Sequence, residues 1–152
     1  MYKKIGIVGA NSFLARNLIK YIDENEENIQ LDLYDVQHEQ IDSHEHYTQV
    51  NFEDPGSIYS SIDFSVDALI FFVGKTGTVN GFNEYTKFIT INEILLLNFL
   101  TAYTKAESKA RIIYPSSRLI YASSDDLVQE DSTIELKSVY AVTKYSAENY
   151  LK

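Results

Sequence analysis

Apolar positions along the chain alternate between short runs of strand character and longer runs at helical spacing. Ile5, Ile7 and Val8 form a first short strand that ends at Gly9. Phe13, Leu14, Leu18, Ile19 and Ile22 then recur at helical intervals, and Asp23 to Glu27 reads as a charged turn. Ile29 to Tyr34 alternates apolar and polar residues, as a strand does, and ends at Asp35. Val36 to His46 is polar and irregular, and Tyr47 to Phe52 predicts another short strand. Asp54-Pro55 predicts a helix start, with Asp54 as N-cap and Pro55 as the first helical residue, running on through Ser57 to Ile62. The unbroken apolar run Ala68 to Val73 suits a strand buried on both faces. Glu84 to about Glu107 carries the longest helical pattern. Arg111 to Tyr114 reads as a second buried strand cut by Pro115, Ser123 to Ser138 as a loop, and Tyr140 to Lys152 as a closing helix.

Strands alternating with helices predict an α/β fold: a doubly wound parallel sheet with right-handed crossovers and helices on both faces. On that topology ligands bind at the carboxyl ends of the strands, where the winding reverses. Composition narrows the picture further. The 152 residues fit one domain, and 12 Tyr with 8 Phe exclude a disordered acidic tail. A formal charge of −9 argues against a duplex nucleic-acid partner, whose phosphates demand a basic face. The chain has no apolar run of membrane-spanning length, no leader pattern and no Cys, so no membrane partner and a cytoplasmic location are expected. His38, His44 and His46, with Glu39, Asp42 and Glu45, lie in a predicted loop and read as a solvated acidic stretch rather than a metal site.

The turn Gly6 to Ala15 joins the first strand to the first helix. A phosphate there meets backbone N–H groups and the positive end of the helix dipole. Gly9, Ser12 and Ala15 are small residues at three-residue intervals, as close approach to a pyrophosphate requires. Asp35 ends the second strand 20 residues past Ala15, where an acid accepts both ribose hydroxyls of an adenosine. No Lys or Arg follows in Val36-Gln37, which selects NAD over NADP.

At the far end, Tyr140 and Lys144 stand four residues apart and so share one face of the last helix. A free phenol, with a pKa near ~10, is a poor base at neutral pH, and an ammonium one turn along favours the phenolate. Such a Tyr takes a proton from an alcohol while hydride leaves the carbon. Ser116-Ser117 follow the fifth strand, where a hydroxyl either bonds the same substrate oxygen or simply caps a turn.

These motifs together resemble the amino-terminal half of the extended short-chain dehydrogenase/reductase family, the NAD-dependent nucleotide-sugar epimerases and dehydratases. The resemblance lies in Val8 to Ala15, Asp67 to Gly74, Asn92 to Leu100, Tyr114 to Tyr121 and Ser138 to Lys144, with Ala147-Glu148 after it. It implies a Rossmann-like sheet of about five strands in the order 3-2-1-4-5. It also implies Tyr140 as acid/base, Lys144 on the nicotinamide ribose and Ser117 at the catalytic Ser/Thr position. By the same resemblance Gly9, Asn11, Ser12, Phe13, Leu14 and Asp35, with Tyr140 and Lys144, bind the cofactor, Asn51-Phe52 flank the adenine, and Phe72, Val73 and Gly74 line the cofactor cleft. A homodimer through the long fourth helix and the catalytic helix is implied as well.

The departures are as informative. Ser12 and Ala15 replace glycines of the family motif, so weakened dinucleotide affinity is expected. Ala122 replaces the glycine after Tyr121, and Leu95-Leu96 replace the usual Gly-Thr of the long helix. Arg118-Leu119 stand where the 4,6-dehydratases carry acid, which disfavours dehydration and leaves epimerisation or keto-sugar reduction. Only eight residues follow Lys144, whereas family members continue for about as long again. Residues 1–152 are therefore expected to be the cofactor domain without the carboxyl-terminal nucleotide-sugar lobe, inactive by itself. A non-catalytic dinucleotide-binding regulatory or scaffold domain is the alternative, and the Tyr-Lys pair speaks against it. A methyltransferase-like fold has no use for Ser117, Tyr140 and Lys144.

Overall fold

The structure is a computed structural model that describes residues 2–37, 46–77, 81–125 and 127–152. Residues 38–45 lie outside them, and with them His38, Glu39, Asp42, His44 and Glu45. The chain divides into two compact units, Met1–Val73 with Leu97–Tyr114, and Gly74–Leu96 with Pro115–Lys152.

The first unit holds the sheet. Its elements are β1 (Lys4–Val8), α1 (Phe13–Asn25), β2 (Gln30–Asp35), β3 (Tyr47–Gln49), α2 (Pro55–Ser61) and β4 (Ala68–Phe71). The sheet is five-stranded, in the order β3-β2-β1-β4-β5, with β5 at Arg111–Ile113 and every pairing parallel. On one face Ala15, Ile19 and Ile22 of α1 pack against Ile5, Ile7, Leu31, Leu33 and Ile70. An aromatic cluster adds Phe99, whose ring centroid lies 5.0 Å from that of Phe71 and 5.9 Å from that of Phe64. Asp54 accepts from Gly56 N–H at 2.8 Å and caps α2, with Pro55 opening the helix as expected.

Four readings are corrected by position. The expected charged turn from Asp23 is helical through Asn25, and the cap falls at Glu26. β3 stops at Gln49 and β4 at Phe71, both shorter than their apolar runs. Along β2 every residue after Gln30 is buried, Asp32 included. Asp32 is tolerated because Lys4 Nζ sits 3.0 Å from it and 2.7 Å from Asp63. These hydrogen bonds hold the Lys4 ammonium well above its usual range and the Asp63 carboxyl down at about 2. β5 is not buried: Arg111 and Ile113 are exposed, because β5 forms the edge of the described sheet.

The second unit is helical. It contains α3 (Tyr85–Ile89), a π turn (Thr90–Ile94), a short 3-10 turn (Arg118–Ile120) and α5 (Val139–Tyr150), while α4 (Leu95–Lys105), which continues the π turn, belongs from Leu97 on to the first unit. The long pattern from Glu84 is thus helical from Tyr85 to Lys105, interrupted by the π turn. Phe88 and Tyr140 meet edge to face at 6.4 Å, and the Tyr150 hydroxyl donates to Glu93 at 2.7 Å. No helix among the described residues is long and apolar enough to cross a membrane.

Candidate functional site

In the first unit the site residues gather at the carboxyl end of β1 and β2. Gly9 has φ +85°, and a Cβ there would fall 2.7 Å from Val73 N and 2.9 Å from Phe72 C, so only glycine fits this turn. The amides of Gly9 and Ala10 both donate to Tyr34 C=O, at 2.8 and 3.1 Å, which ties the turn to the end of β2. Ser12 is the N-cap of α1 and accepts from Ala15 N–H at 3.3 Å. Ala15, in the first turn of α1, is fully buried in the core. Each small residue therefore has its own local task, the one capping and the other packing. Phe13 and Leu14 open the helix and are exposed rather than core.

Asp35 is buried, and its two carboxylate oxygens accept from Asn11 N–H at 2.9 Å and from Gln37 N–H at 3.2 Å. Each oxygen keeps a second acceptor position beyond its amide. Of the predicted adenine-flanking pair, Asn51 is exposed, whereas the Phe52 side chain is in the core and its carbonyl accepts from Asn98 Nδ2 at 3.0 Å. Phe72 and Val73 follow β4 as half-buried residues, with the Phe72 amide on Val8 C=O at 2.7 Å.

In the second unit, Tyr140 and Lys144 are both buried on α5, whose N-cap Ser138 accepts from Ala141 N–H. Lys144 Nζ donates to Pro115 C=O at 2.9 Å, and a Cβ on Gly74 would lie 3.8 Å from that nitrogen. Burial pushes the ammonium down to about 8. Ser117 is half-buried, caps the 3-10 turn and accepts from Leu119 N–H at 3.2 Å. Its neighbour Ser116 bonds Glu148, and both serines line a cavity of about 560 Å³ with Arg118, Tyr121 and Gln129. Lys75 is half-buried and paired with Glu84 at 3.1 Å.

Asn92 was not singled out from the sequence as a site residue. It sits fully buried in the π turn, a helix irregularity that recurs at functional sites. It brackets Lys75, accepting from its N–H at 2.6 Å and donating to its C=O at 3.1 Å. It also donates to Thr143 Oγ1 at 2.9 Å, and that hydroxyl donates to Tyr140 C=O at 3.0 Å. The backbone under Tyr140 is thereby locked to the segment that follows Gly74. Its place at the head of the family-like motif Asn92 to Leu100 was the available signal.

The cost of Lys144 is measurable. Below about pH 8 the folded chain carries a buried charge that the unfolded chain solvates, so Lys144→Met is expected to raise stability at neutral pH by about 1–3 kcal/mol. From about pH 8 towards the ordinary lysine value of 10.5 the native lysine sheds its proton on folding, and the gain shrinks. Thermal unfolding of both chains at pH 7 and pH 10 reads this; an equal gain at both pH values would refute it.

A parallel 3-2-1-4-5 sheet with a glycine turn on β1 and an acid closing β2 defines a Rossmann-like dinucleotide-binding domain. The chain belongs to the NAD-dependent epimerase/dehydratase family, whose profile matches residues 5–152. Its fold is shared with UDP-glucose 4-epimerase from Brucella ovis, solved with NAD, at 18% identity and TM-score 0.85 over 98% of this chain and 46% of that one. It is likewise similar to uronate dehydrogenase from Agrobacterium tumefaciens, at 19% identity and TM-score 0.77 over 97% of this chain and 54% of that one. RMD from Pseudomonas aeruginosa, solved with NADPH, gives 22% identity and TM-score 0.77 over 99% of this chain and 47% of that one. The chain therefore spans about half the length of these structures. No curated protein matches it in sequence.

Proposed function

We propose that this chain is the NAD-binding part of a nucleotide-sugar epimerase or keto-sugar reductase. The observation that carries the reading is the Tyr140–Lys144 pair: both side chains are buried on α5, with the ammonium held by Pro115 C=O and lowered by burial. Gly9 gives a turn that a pyrophosphate can approach, and Asp35 keeps acceptor positions for the ribose hydroxyls of NAD. Bound NAD supplies the hydride acceptor. Tyr140 takes the proton of a sugar hydroxyl and later returns it, with Ser117 bonding the same oxygen. Lys144, protonated at neutral pH, would hold the nicotinamide ribose. UDP-glucose is named in the epimerase among the fold relatives, and a nucleotide sugar is the substrate class proposed here. Exposed Tyr85, Ile89, Ile94 and Val142 on the helices of the second unit favour a homodimer, and a cytoplasmic enzyme fits the composition. A regulatory dinucleotide-binding role needs neither Tyr140 nor Lys144.

The test is to load with NAD a longer protein that joins residues 1–152 to a carboxyl-terminal substrate lobe, mix it with a panel of nucleotide sugars and follow nicotinamide absorbance. Transient or net reduction with one of them is expected. No reduction with any nucleotide sugar, from protein that has bound NAD, would favour the regulatory reading.

A further inference from the structure

One phenol ties together the two segments that hold Asp35. Tyr47 opens β3, paired with Leu33 in the sheet register, and its ring packs against the core beneath α1. Its hydroxyl accepts from Asn11 Nδ2 at 2.9 Å and donates to Gln37 C=O at 3.0 Å. Asn11 and Gln37 are the same two residues whose backbone amides bond the Asp35 carboxylate. The four residues form a closed cycle, carboxylate to Asn11 to phenol to Gln37 and back to carboxylate. Gln49 Nε2 adds a bond to Val36 C=O at 2.9 Å, which steadies the segment between Asp35 and Gln37. Burial pushes the Tyr47 phenol above its ordinary value, so it keeps the proton it donates.

We infer that Tyr47 is a positioning residue for the cofactor: its hydroxyl fixes the two amides that aim the Asp35 carboxylate at the adenosine ribose. This rests on the dinucleotide reading above and goes beyond it in assigning a role to a residue outside the glycine turn and the strand-end acid. A tyrosine at the start of an edge strand gives no such signal in the sequence, where it reads as core. The carboxylate alone does not set its own direction. Two amides on separate segments do, and each segment is held by a bond to one oxygen atom of Tyr47.

Tyr47→Phe keeps the packed ring and removes only that oxygen, so the fold is retained. In the cofactor-free chain, amide hydrogen exchange at Asn11 and Gln37 is expected to accelerate. NADH and ADP-ribose are expected to bind between about two- and tenfold more weakly, the worth of one or two hydrogen bonds, while nicotinamide mononucleotide is unaffected. In an Asp35→Ala background the same substitution is expected to cost nothing more, since it acts through that carboxylate. Unchanged exchange, unchanged ADP-ribose affinity, or an equal loss in both backgrounds would each overturn the inference. Accelerated exchange in a chain whose native form takes up no NADH overturns the dinucleotide reading instead, so the two failures are told apart.

Discussion

In a longer protein that joins this domain to a substrate lobe, Tyr140→Phe is expected to lower turnover of a nucleotide sugar by about a thousandfold while leaving NADH affinity within about twofold of the native value. The substitution removes one hydroxyl and nothing else. The ring stays buried against Phe88, and the bond from Thr143 goes to the Tyr140 backbone carbonyl, which phenylalanine also presents. Thermal stability is therefore expected to change little. Under the proposed mechanism what is lost is the proton acceptor, and Lys144, whose ammonium donates to Pro115 C=O, does not replace it as a base while protonated. Steady-state rates with NADH titrations on the same preparation read both quantities. Turnover within tenfold of native would remove Tyr140 from the chemistry.

Gly9→Ala is expected to destabilise the chain by about 2–4 kcal/mol and to weaken NADH binding by more than about tenfold. Two costs combine. At φ +85° an L-residue is strained, and the new Cβ would press on the backbone of Phe72 and Val73 at 2.9 and 2.7 Å. Backbone cannot rotate away as a side-chain tip does. Relief requires the turn to move off β4, which pulls the Gly9 and Ala10 amides from Tyr34 C=O beside Asp35. Gly77 is the control: it also has positive φ, but a Cβ there meets nothing within 4 Å, so Gly77→Ala carries only the strain. Denaturant unfolding and NADH titration of both variants separate the two costs. Equal behaviour of the two would contradict the close-approach argument.

What could be read from the sequence was local. Gly9, the Asp54-Pro55 start of α2 and the strand-end Asp35 each announce themselves through a few adjacent residues. The order of alternating strands and helices then restricts the sheet to very few topologies. Readings that depended on neighbours far along the chain went astray. Arg111–Ile113 has the composition of a buried strand, but exposure is set by what pairs with it, and it lies at an edge. Asp32 gives no sign in the sequence that it is buried and paired, because its partner Lys4 is 28 residues away. The π turn at Thr90–Ile94 is too short to disturb a helical period, so the buried Asn92 it carries was passed over. Ser12 and Ser117 illustrate a different ambiguity. A serine at a strand-to-helix junction serves a ligand or a cap equally well on paper, and in the fold both accept backbone N–H bonds.

The most direct test of the account is to titrate the native chain and Asp35→Ala with NADH and with NADPH, by nicotinamide fluorescence and calorimetry. Saturable NADH binding is expected, with weaker NADPH binding because a 2′-phosphate meets the buried Asp35 carboxylate with no Lys or Arg in Val36-Gln37, and loss of that preference in Asp35→Ala. Tighter binding of NADPH by the native chain, or no binding of either nucleotide, would contradict it.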